Sequence, residues 1–355
     1  MRTNWANAFA SAYRAVRGSK AQGVLLATAV LVLAVRVTVV AADPGVTQPS
    51  IFGAGMGLNH VSVAVHDLTA VETIFRDQLG FNVQFGGRFP QGVENAGIDF
   101  ADHSYLEFLG IYDPVKAAST DVAAALKDHE GAIGIGLETD SAARALEALR
   151  NHDVSAKIET TTDADYDEPG EKASGTWIWR EIDLPASILG GPFLIEYNRA
   201  DQAARAKADP AAADKRALER THPNGALGLS AVWIAAHDLQ ACVEAYQRLG
   251  LTAGPSVDFP EMSAGGRTIV AGKGRLILLT PKPGAGPVAD FLATHGDGIM
   301  GVTIEVADVA RMRDYLRAHA AAALDPRWQG ADHLLIGPPT TPGLWLRLER
   351  AQGGH

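Results

Sequence analysis

Three polar side chains interrupt otherwise apolar, strand-like segments and are the first candidates for chemistry. His60 lies in a run of alternating valines, and Glu107 and Glu196 each stand within an apolar run. A carboxylate inside such a strand is unfavourable unless it meets a cation or hydrogen-bond donors. One imidazole and two carboxylates that converged could bind Zn²⁺, Mn²⁺, Fe²⁺, Co²⁺ or Ni²⁺ and leave positions open for water and substrate. Such an ion would polarise a carbonyl oxygen while a carboxylate moved a proton.

Each of these side chains also has an ordinary structural interpretation. His60 could be a hydrogen-bonded histidine inside a barrel. The two glutamates could lie at exposed strand edges or pair with Arg88 and Arg180. The sequence leaves both interpretations open, because it does not establish that the three side chains converge.

The segment around His60 predicts a strand that leads into a helix. Residues 58–65 alternate between valines and small or polar side chains, which indicates a half-buried strand with His60 on the face away from the valines. Asp67 is a favourable N-cap for a helix predicted over 67–79. Gly80 ends that helix, and three further strands are predicted before residue 112.

The same pattern recurs in the second half of the chain. Residues 228–239 repeat residues 57–68 with seven identities at a constant offset of 171. Further strand–helix units are predicted to begin near Gly131 and Gly298. The predicted fold class is therefore α+β, with four βαβββ modules paired into two half-open barrels whose sheets enclose a cavity.

The predicted organisation has an N-terminal hydrophobic segment and two domains. Its parts are a signal peptide or membrane anchor over 1–42, a linker over 43–56, the first domain with the candidate site over 57–200, a helical linker over 201–225 and a degenerate second domain over 226–355.

The N-terminal segment predicts a location outside the cytoplasm. It carries basic residues, no acidic residue and an apolar run, followed by small residues before Asp43 that resemble a cleavage site. The favoured interpretation is export to the periplasm or beyond. The alternative is an uncleaved anchor that attaches the protein to the membrane through residues 23–42.

Composition excludes some classes of partner. The 355 residues are 47% hydrophobic, which is enough for two cores, and the formal net charge is −10. Lys and Arg form no cluster beyond the first twenty residues, so nucleic acid is not an expected partner. The expected partner is a small-molecule substrate or ligand.

Residues 58–109 carry a family resemblance. The motifs are His60, Asp67-Leu68, Leu79-Gly80-Phe81, Gly86-Gly87-Arg88, Asn95 and Tyr105-Leu106-Glu107. This stretch resembles the glyoxalase-like domain of the vicinal oxygen chelate superfamily, and a weaker copy covers 228–350. The resemblance implies paired βαβββ modules around a divalent metal. Its members include glyoxalase I, extradiol dioxygenases, methylmalonyl-CoA epimerase, and fosfomycin- and bleomycin-resistance proteins.

The resemblance also implies that metal ligands come from the first and fourth strands of each paired module. On this chain these are His60, Glu107 and Glu196, with the two glutamates also as catalytic carboxylates. Ala132 stands at the position expected for a further ligand on the second module's first strand. His129 or Glu130 could take that place if the preceding loop folded inward.

Five further residues are predicted to line the substrate pocket. The tryptophans would form an apolar wall and an arginine would hold an anionic group. The residues are Arg88, Asn95, Trp177, Trp179 and Arg180.

The second half is predicted to lack this chemistry. Ala231 stands where the first half has His60, and Ile277 replaces Glu107. The C-terminal half is therefore expected to be a structural or pocket-shaping lobe.

The function expected from these observations is a divalent-metal-dependent enzyme of the lyase or isomerase type that acts on a small oxygen-rich substrate. The alternative is a metal-free protein of the same fold that binds or sequesters a small molecule. An extradiol dioxygenase is less favoured, because it needs two histidines and one carboxylate and Ala132 stands where the second histidine is expected.

Overall fold

The structure is a computed structural model that describes residues 50–167, 173–325, 327, 329–338 and 340–351. The predicted signal peptide or anchor over 1–42 lies outside these residues. Among the described residues, no helix is long and apolar enough to cross a membrane.

The first half contains two modules. The strands of the first are β1 (Gly57–Ala64), β2 (Gln84–Arg88), β3 (Val93–Asp99) and β4 (Tyr105–Ile111), and its helices are α1 (Leu68–Glu72), continued by a π-helical turn over Thr73–Gln78, α2 (Pro114–Ala117) and α3 (Asp121–Ala125). The second consists of β5 (Gly131–Glu138), α4 (Ala142–Asn151), β6 (Ile158–Thr162), β7 (Trp177–Asp183) and β8 (Pro192–Tyr197). Two connector helices follow, α5 (Arg199–Ala208) and α6 (Pro210–Glu219).

The second half follows a similar order, with one helix instead of two between its modules and, among the described residues, three strands instead of four in its last module. Its elements are β9 (Ala226–Ala235), α7 (Leu239–Arg248), β10 (Thr252–Phe259), β11 (Ala264–Ala271), β12 (Gly274–Pro281), α8 (Pro287–His295), β13 (Gly298–Val306), α9 (Val309–His319), β14 (His333–Ile336) and β15 (Trp345–Arg350). Single 3₁₀ turns lie at Pro260–Met262 and Ala321–Ala323.

Each half forms one mixed sheet. The order is β2-β3-β4-β1-β5-β8-β7-β6 in the first and β10-β11-β12-β9-β13-β15-β14 in the second. In the first sheet β1 pairs antiparallel with β5 and parallel with β4. The predicted α+β fold of paired βαβββ modules is confirmed, and the first sheet curls into a half-barrel around a cavity.

One face of each sheet packs against helices in a core that is continuous between the halves. Val61 and Val63 of β1 are fully buried in this core, as are Val232 and Ile234 of β9. Because side chains alternate along a strand, His60 and Ser62 face the other side, into the curled sheet.

The corresponding face of the second sheet is filled with apolar side chains. Ala231, Trp233 and Ile277 belong to a separate buried cluster on that face. Trp233 pairs in register with Ile277, as Ser62 pairs with Glu107 in the first sheet. Packed side chains therefore occupy the second half where the first half has polar ones.

Two predicted boundaries in the first module differ from the structure. The sequence predicts a strand over 81–85 and a loop over 86–92, whereas β2 begins at Gln84 and continues to Arg88. Phe81 instead lies in the core, below the end of α1. The glycines at 86 and 87 allow close packing of the strand, because a Cβ at either would lie under 3 Å from Asn95 or the loop around Tyr166.

The filled second half gives a prediction about stability. Trp233 is fully buried, and its Nε1 donates to Thr303 Oγ1 at 2.9 Å. Trp233→Ala should lower the free energy of unfolding by about 3 to 5 kcal/mol, because it leaves a cavity and an unpaired hydroxyl. Urea unfolding measures this. Leu218→Ala, at a side chain that is 71% exposed, is the control and should change it by less than roughly 0.5 kcal/mol; equal effects would contradict the packing described.

Candidate functional site

The concave face of the first sheet and the connector helices enclose a cavity of about 720 Å³. Its walls carry both aromatic and ionisable side chains. The lining residues include His60, Ser62, Asn95, Asp99, His103, Tyr105, Glu107, Asp121, Trp179, Glu181, Phe193, Ile195, Tyr197, Arg199, Lys215, Arg216 and Arg220. A cavity of this size and composition is typical of a small-molecule site.

His60 is held between aromatic rings on the cavity wall. Its ring stacks on Tyr105 with centroids 4.3 Å apart and meets the edge of Phe193 at 5.3 Å. Only 2% of the residue is exposed, and burial lowers the pKa of His60 to about 3. The imidazole is therefore neutral at physiological pH.

Hydrogen bonds around Asn59 determine which ring nitrogen of His60 carries the proton. The Asn59 amide nitrogen donates to Glu138 and to the carbonyl oxygen of His103, so its Oδ1 is an acceptor. That oxygen lies 2.9 Å from His60 Nδ1 and also accepts from the Tyr197 hydroxyl at 3.1 Å. His60 Nδ1 must then be the donor. Its Nε2 is an acceptor without a hydrogen-bond partner among the described residues.

The space for the His60 ring exists because β5 has glycine opposite it. His60 pairs with Gly136, and a Cβ built at Gly136 would lie 2.1 Å from the ring carbon Cε1. Ser62 pairs with Gly134 in the same way, and a Cβ there would contact Phe193 at 3.5 Å. The second module's first strand therefore presents bare backbone to the cavity.

Glu107 is a carboxylate fixed by two donors. Ser62 Oγ donates to one oxygen at 2.7 Å, and Asn95 Nδ2 donates to the other at 2.9 Å. Burial raises the pKa of Glu107, and these two hydrogen bonds oppose that shift because they favour the charged form. Asn95 is itself oriented, because its Oδ1 accepts from Gly87 N and from the Tyr166 hydroxyl.

Glu181 lies on β7 in the same cavity, and unlike Glu107 it is not surrounded by hydrogen-bond donors. Burial raises the pKa of Glu181 to about 8, and the carboxylates of Asp183 and Glu107 add to the shift. Its carboxyl group has no hydrogen-bond donor among the residues that the structure describes. Glu181 is therefore mainly protonated at neutral pH.

Glu196 does not join His60 and Glu107. Along β8 the side chains of Phe193, Ile195 and Tyr197 face the cavity, so the intervening Glu196 points to the other face. There its carboxylate accepts from the backbone of Ala142, at the start of α4, at 3.1 Å and lies 3.4 Å from Arg180. Its role is that of a helix cap.

The predicted pocket residues divide in the same way. Asn95 and Trp179 line the cavity, whereas Arg88, Trp177 and Arg180 are not part of its wall. Arg88 pairs with Glu94 at 2.9 Å, and the guanidinium of Arg180 stacks on the Trp177 ring at 4.2 Å.

The loop before β5 does not fold into the cavity either. The carboxylate of Glu130 accepts from the backbone of His66 at 2.6 Å, and the His129 ring packs against His295 with centroids 4.2 Å apart. Ala132 is not the position next to His60 in the register, since Gly136 is. Neither His129 nor Glu130 replaces the absent ligand.

The donors in the cavity do not fit a three-ligand metal centre. Of the three expected ligands, His60 and Glu107 lie in the cavity, and Glu196 faces away from it. Within the described ranges, no three His, Cys, Asp or Glu side chains are placed to hold an ion. The second module's first strand has Gly134 and Gly136 opposite Ser62 and His60, so it adds no ligand at these positions.

Sequence reasoning missed Glu181 and the connector residues. Alternation could have found Glu181, because Trp179 was expected in the pocket and the second residue along a strand shares its face. The same rule separates Trp179 from Arg180, and Phe193 from Glu196. Nothing in the sequence indicated that the connector helices lie over the cavity.

The comparisons with known proteins agree with this architecture. The sequence model of a family described as glyoxalase-like domain matches residues 58–250. No curated protein matches the sequence significantly.

Similar solved structures share the fold at low sequence identity. A hypothetical protein from Staphylococcus aureus has a TM-score of 0.54 and 12% identity, over 83% of this chain and 100% of its own. A variant of 4-hydroxymandelate synthase from Streptomyces coelicolor has a TM-score of 0.52 and 14% identity, over 84% and 94%. A fusion of a xylose isomerase-like TIM barrel with 4-hydroxyphenylpyruvate dioxygenase has a TM-score of 0.52 and 14% identity. The match covers 88% of this chain and 52% of the fusion protein.

The close approach of the His60 ring to Gly136 can be tested by adding a side chain at Gly136. Gly136→Ala should displace the His60 ring and lower the free energy of unfolding by about 1 to 3 kcal/mol, because the added methyl overlaps the imidazole. Gly97→Ala is the control, since a Cβ there meets only the Leu106 carbonyl oxygen at 3.7 Å. Urea unfolding and imidazole ¹⁵N NMR measure the two effects. If both variants were as stable as the wild type, with an unchanged His60 spectrum, the close approach would be refuted.

Proposed function

Because the chain belongs to the glyoxalase-like domain family, we propose that its N-terminal cavity binds a small molecule containing a carbonyl group and moves a proton next to that carbonyl. This is chemistry of the isomerase or lyase type. The proposal assigns the reaction to Glu107 and Glu181, without a resident divalent metal.

The observation that carries the proposal is the pair of carboxyl groups in one cavity. Glu107 and Glu181 both line it, and Glu107 contributes to the raised pKa of Glu181, so the two are within electrostatic range. Hydrogen-bond donors surround only Glu107. Burial raises the pKa of both groups, but hydrogen bonds favour the charged form of Glu107 alone, which assigns the base to Glu107 and the acid to Glu181.

The proposed roles follow from these environments. Glu107, as the carboxylate, takes a proton from the carbon next to the carbonyl. Glu181, as the acid, donates its proton to the carbonyl oxygen, so that an enol forms and no charge is left on the substrate. Return of a proton to carbon completes an isomerisation, and loss of a neighbouring group completes an elimination. His60 Nε2 can accept a hydrogen bond from a substrate hydroxyl.

A divalent-metal-dependent enzyme is the form that the resemblance favours, but we do not propose it for this cavity. The reason is the donor set: the third expected ligand, Glu196, faces away from the cavity, and the described residues place no three His, Cys, Asp or Glu side chains to hold an ion.

Hydrogen exchange tests the proposed reaction. The probe is 2-oxo-4-phenylbutanoate in D₂O, whose C3 hydrogens are followed by ¹H NMR. Wild-type protein should accelerate their exchange, and Glu181→Gln and Glu107→Gln should each reduce the acceleration by about 100-fold or more, because each removes one partner of the proton transfer. The wild-type rate should fall as the pH rises through about 8, where Glu181 loses its proton, and Glu181→Gln should lack that fall.

Two controls make the exchange experiment specific. Glu147→Gln changes an exposed carboxylate on α4 that is not part of the cavity wall, and it should exchange at the wild-type rate. Treatment with a chelator should leave the rate unchanged. A rate that disappears with the chelator and returns with a divalent cation would contradict the metal-independent mechanism.

A binding or sequestering protein is the second candidate. It is favoured by the part of the wall formed by β5 and β8, where Gly134, Gly136 and Ile195 offer no group for catalysis. Wild-type protein that binds the probe without accelerating its exchange would support this candidate over the enzyme.

We also propose that the protein is exported. The support is the sequence of residues 1–42, which lie outside the described residues. Expression of the full chain in a bacterium, followed by N-terminal sequencing, should give a mature chain that begins near Asp43. A chain that retains residues 1–42 and sediments with membranes would instead indicate an anchor through residues 23–42.

A further inference from the structure

Among the described residues, every Lys and Arg that lines the cavity lies in the connector between the two halves. The lining residues of this segment are Arg199, Gln202, Ala212, Lys215, Arg216, Glu219 and Arg220. The protein has a net charge of −10, so four cations at one place run against its general charge. Of the six acids that line the cavity, only Glu219 belongs to the connector; the other five are Asp99, Glu107, Asp121, Asp165 and Glu181.

Two of the four cations already have partners. Arg199 forms an ion pair with Glu138, and Lys215 lies 3.6 Å from Glu219, one turn away on α6. Arg216 and Arg220 form no ion pair with any residue that the structure describes. Arg220 acts electrostatically on Asp99. Burial raises the pKa of Asp99, and the charge of Arg220 partly offsets this rise.

Arg216 and Arg220 lie on the same side of the connector. They are four residues apart, so successive helical turns place them next to each other at the end of α6. Two guanidinium groups in this arrangement can bind the oxygens of one carboxylate or phosphate group with paired hydrogen bonds.

Hydrogen bonds just after Arg220 fix the connector against the first sheet. His222 is 5% exposed; its Nδ1 accepts from the backbone of Asn82 at 3.0 Å, and its Nε2 donates to the carbonyl oxygen of Asp99 at 3.0 Å. The Asn82 amide also donates to the carbonyl oxygens of Glu219 and Thr221. The end of α6 is therefore held in a fixed position in the cavity wall.

Three cations act together on His103 at this end of the cavity. His103 lines the cavity, and its pKa is lowered by burial and then by Arg220, Arg199 and Lys273. His103 is therefore an uncharged donor or acceptor beside the arginines. An anionic group would be attracted to this end by several cations together.

We infer that Arg216 and Arg220 bind the anionic group of the substrate, so that the protein acts on small organic acids with a carboxylate or phosphate group and an apolar body. The apolar body fits the walls formed by Phe85, Phe89 and Trp179. Along β4, Tyr105 lies toward the connector, where its hydroxyl meets Tyr197 at 2.8 Å. Glu107 is two residues further, about 7 Å along the strand. The anion and the reacting carbon would thus be separated by a few bonds. This inference extends the proposed function by naming the class of substrate.

Binding of a matched pair of probes tests the inference. The acid is 2-oxo-4-phenylbutanoate, and 4-phenyl-2-butanone is the neutral analogue with the same phenyl and ketone groups. Calorimetry should show that the acid binds wild type at least about tenfold more tightly than the ketone, and that Arg216→Gln with Arg220→Gln removes this preference. Phenyl phosphate, measured in the same way, distinguishes a phosphate site from a carboxylate site.

The control removes the same charge elsewhere. Lys207→Gln with Arg248→Gln changes two cations that are not part of the cavity wall, and the preference for the acid should remain. Equal loss in both double variants would overturn the inference, since it would show a general effect of charge. Failure of the two anions to bind wild type more tightly than the ketone would overturn it as well.

The outcome is separable from that of the proposed reaction. If the arginines set the affinity for the acid and exchange is not accelerated, the substrate class stands and the proton transfer fails. If exchange depends on Glu181 and the arginine variants bind the acid as wild type does, the reaction stands and the anion site fails.

Discussion

The cavity depends on one steric constraint, the absence of side chains on the inner face of β5. At the centre of the first sheet β1 and β5 lie side by side, and His60 and Ser62 pair with Gly136 and Gly134. A Cβ at Gly136 would occupy the place of the His60 ring. Because the glycines leave this space, the imidazole can lie flat against Tyr105, as a neutral ring in the cavity wall. The same glycines mean that β5 supplies no metal ligand opposite His60.

The functional groups of the cavity come from two different segments of the chain. The sheet supplies the carboxyl groups and the aromatic walls, and the connector supplies the cations. The connector therefore has two functions in this structure, since it joins the halves and closes the cavity of the first. His222 couples these functions, because it fixes the end of α6 to Asn82 and Asp99 and thereby sets where Arg220 lies. The position of Arg220 thus depends on the contacts between the connector and the first module.

The fold could be predicted from the sequence because it depends on periodicity and repetition. The repeat of residues 57–68 at 228–239 identified the duplication, and alternation placed His60 on the inner face of β1. The site was harder to predict than the fold, because ligand positions were carried over from the family without checking which face of the strand each residue occupies. Glu196 differs from the cavity-facing Ile195 by one position, and one position reverses the face. The connector arginines could not be found, since charges on a polar helix do not indicate what the helix covers.

The two halves show how one framework can lead to a cavity or to a packed core. At matching places in the register, the first sheet has Ser62 beside Glu107 and the second has Trp233 beside Ile277. Ser62 is small and donates to the Glu107 carboxylate, so it leaves the cavity open and also stabilises the charge of Glu107. The indole fills the same space, and its nitrogen is satisfied by Thr303. Exchanging this one pair converts a polar wall into apolar packing worth several kcal/mol. The second half therefore contributes stability and the attachment of the connector, and the first half can retain buried carboxyl groups that oppose folding.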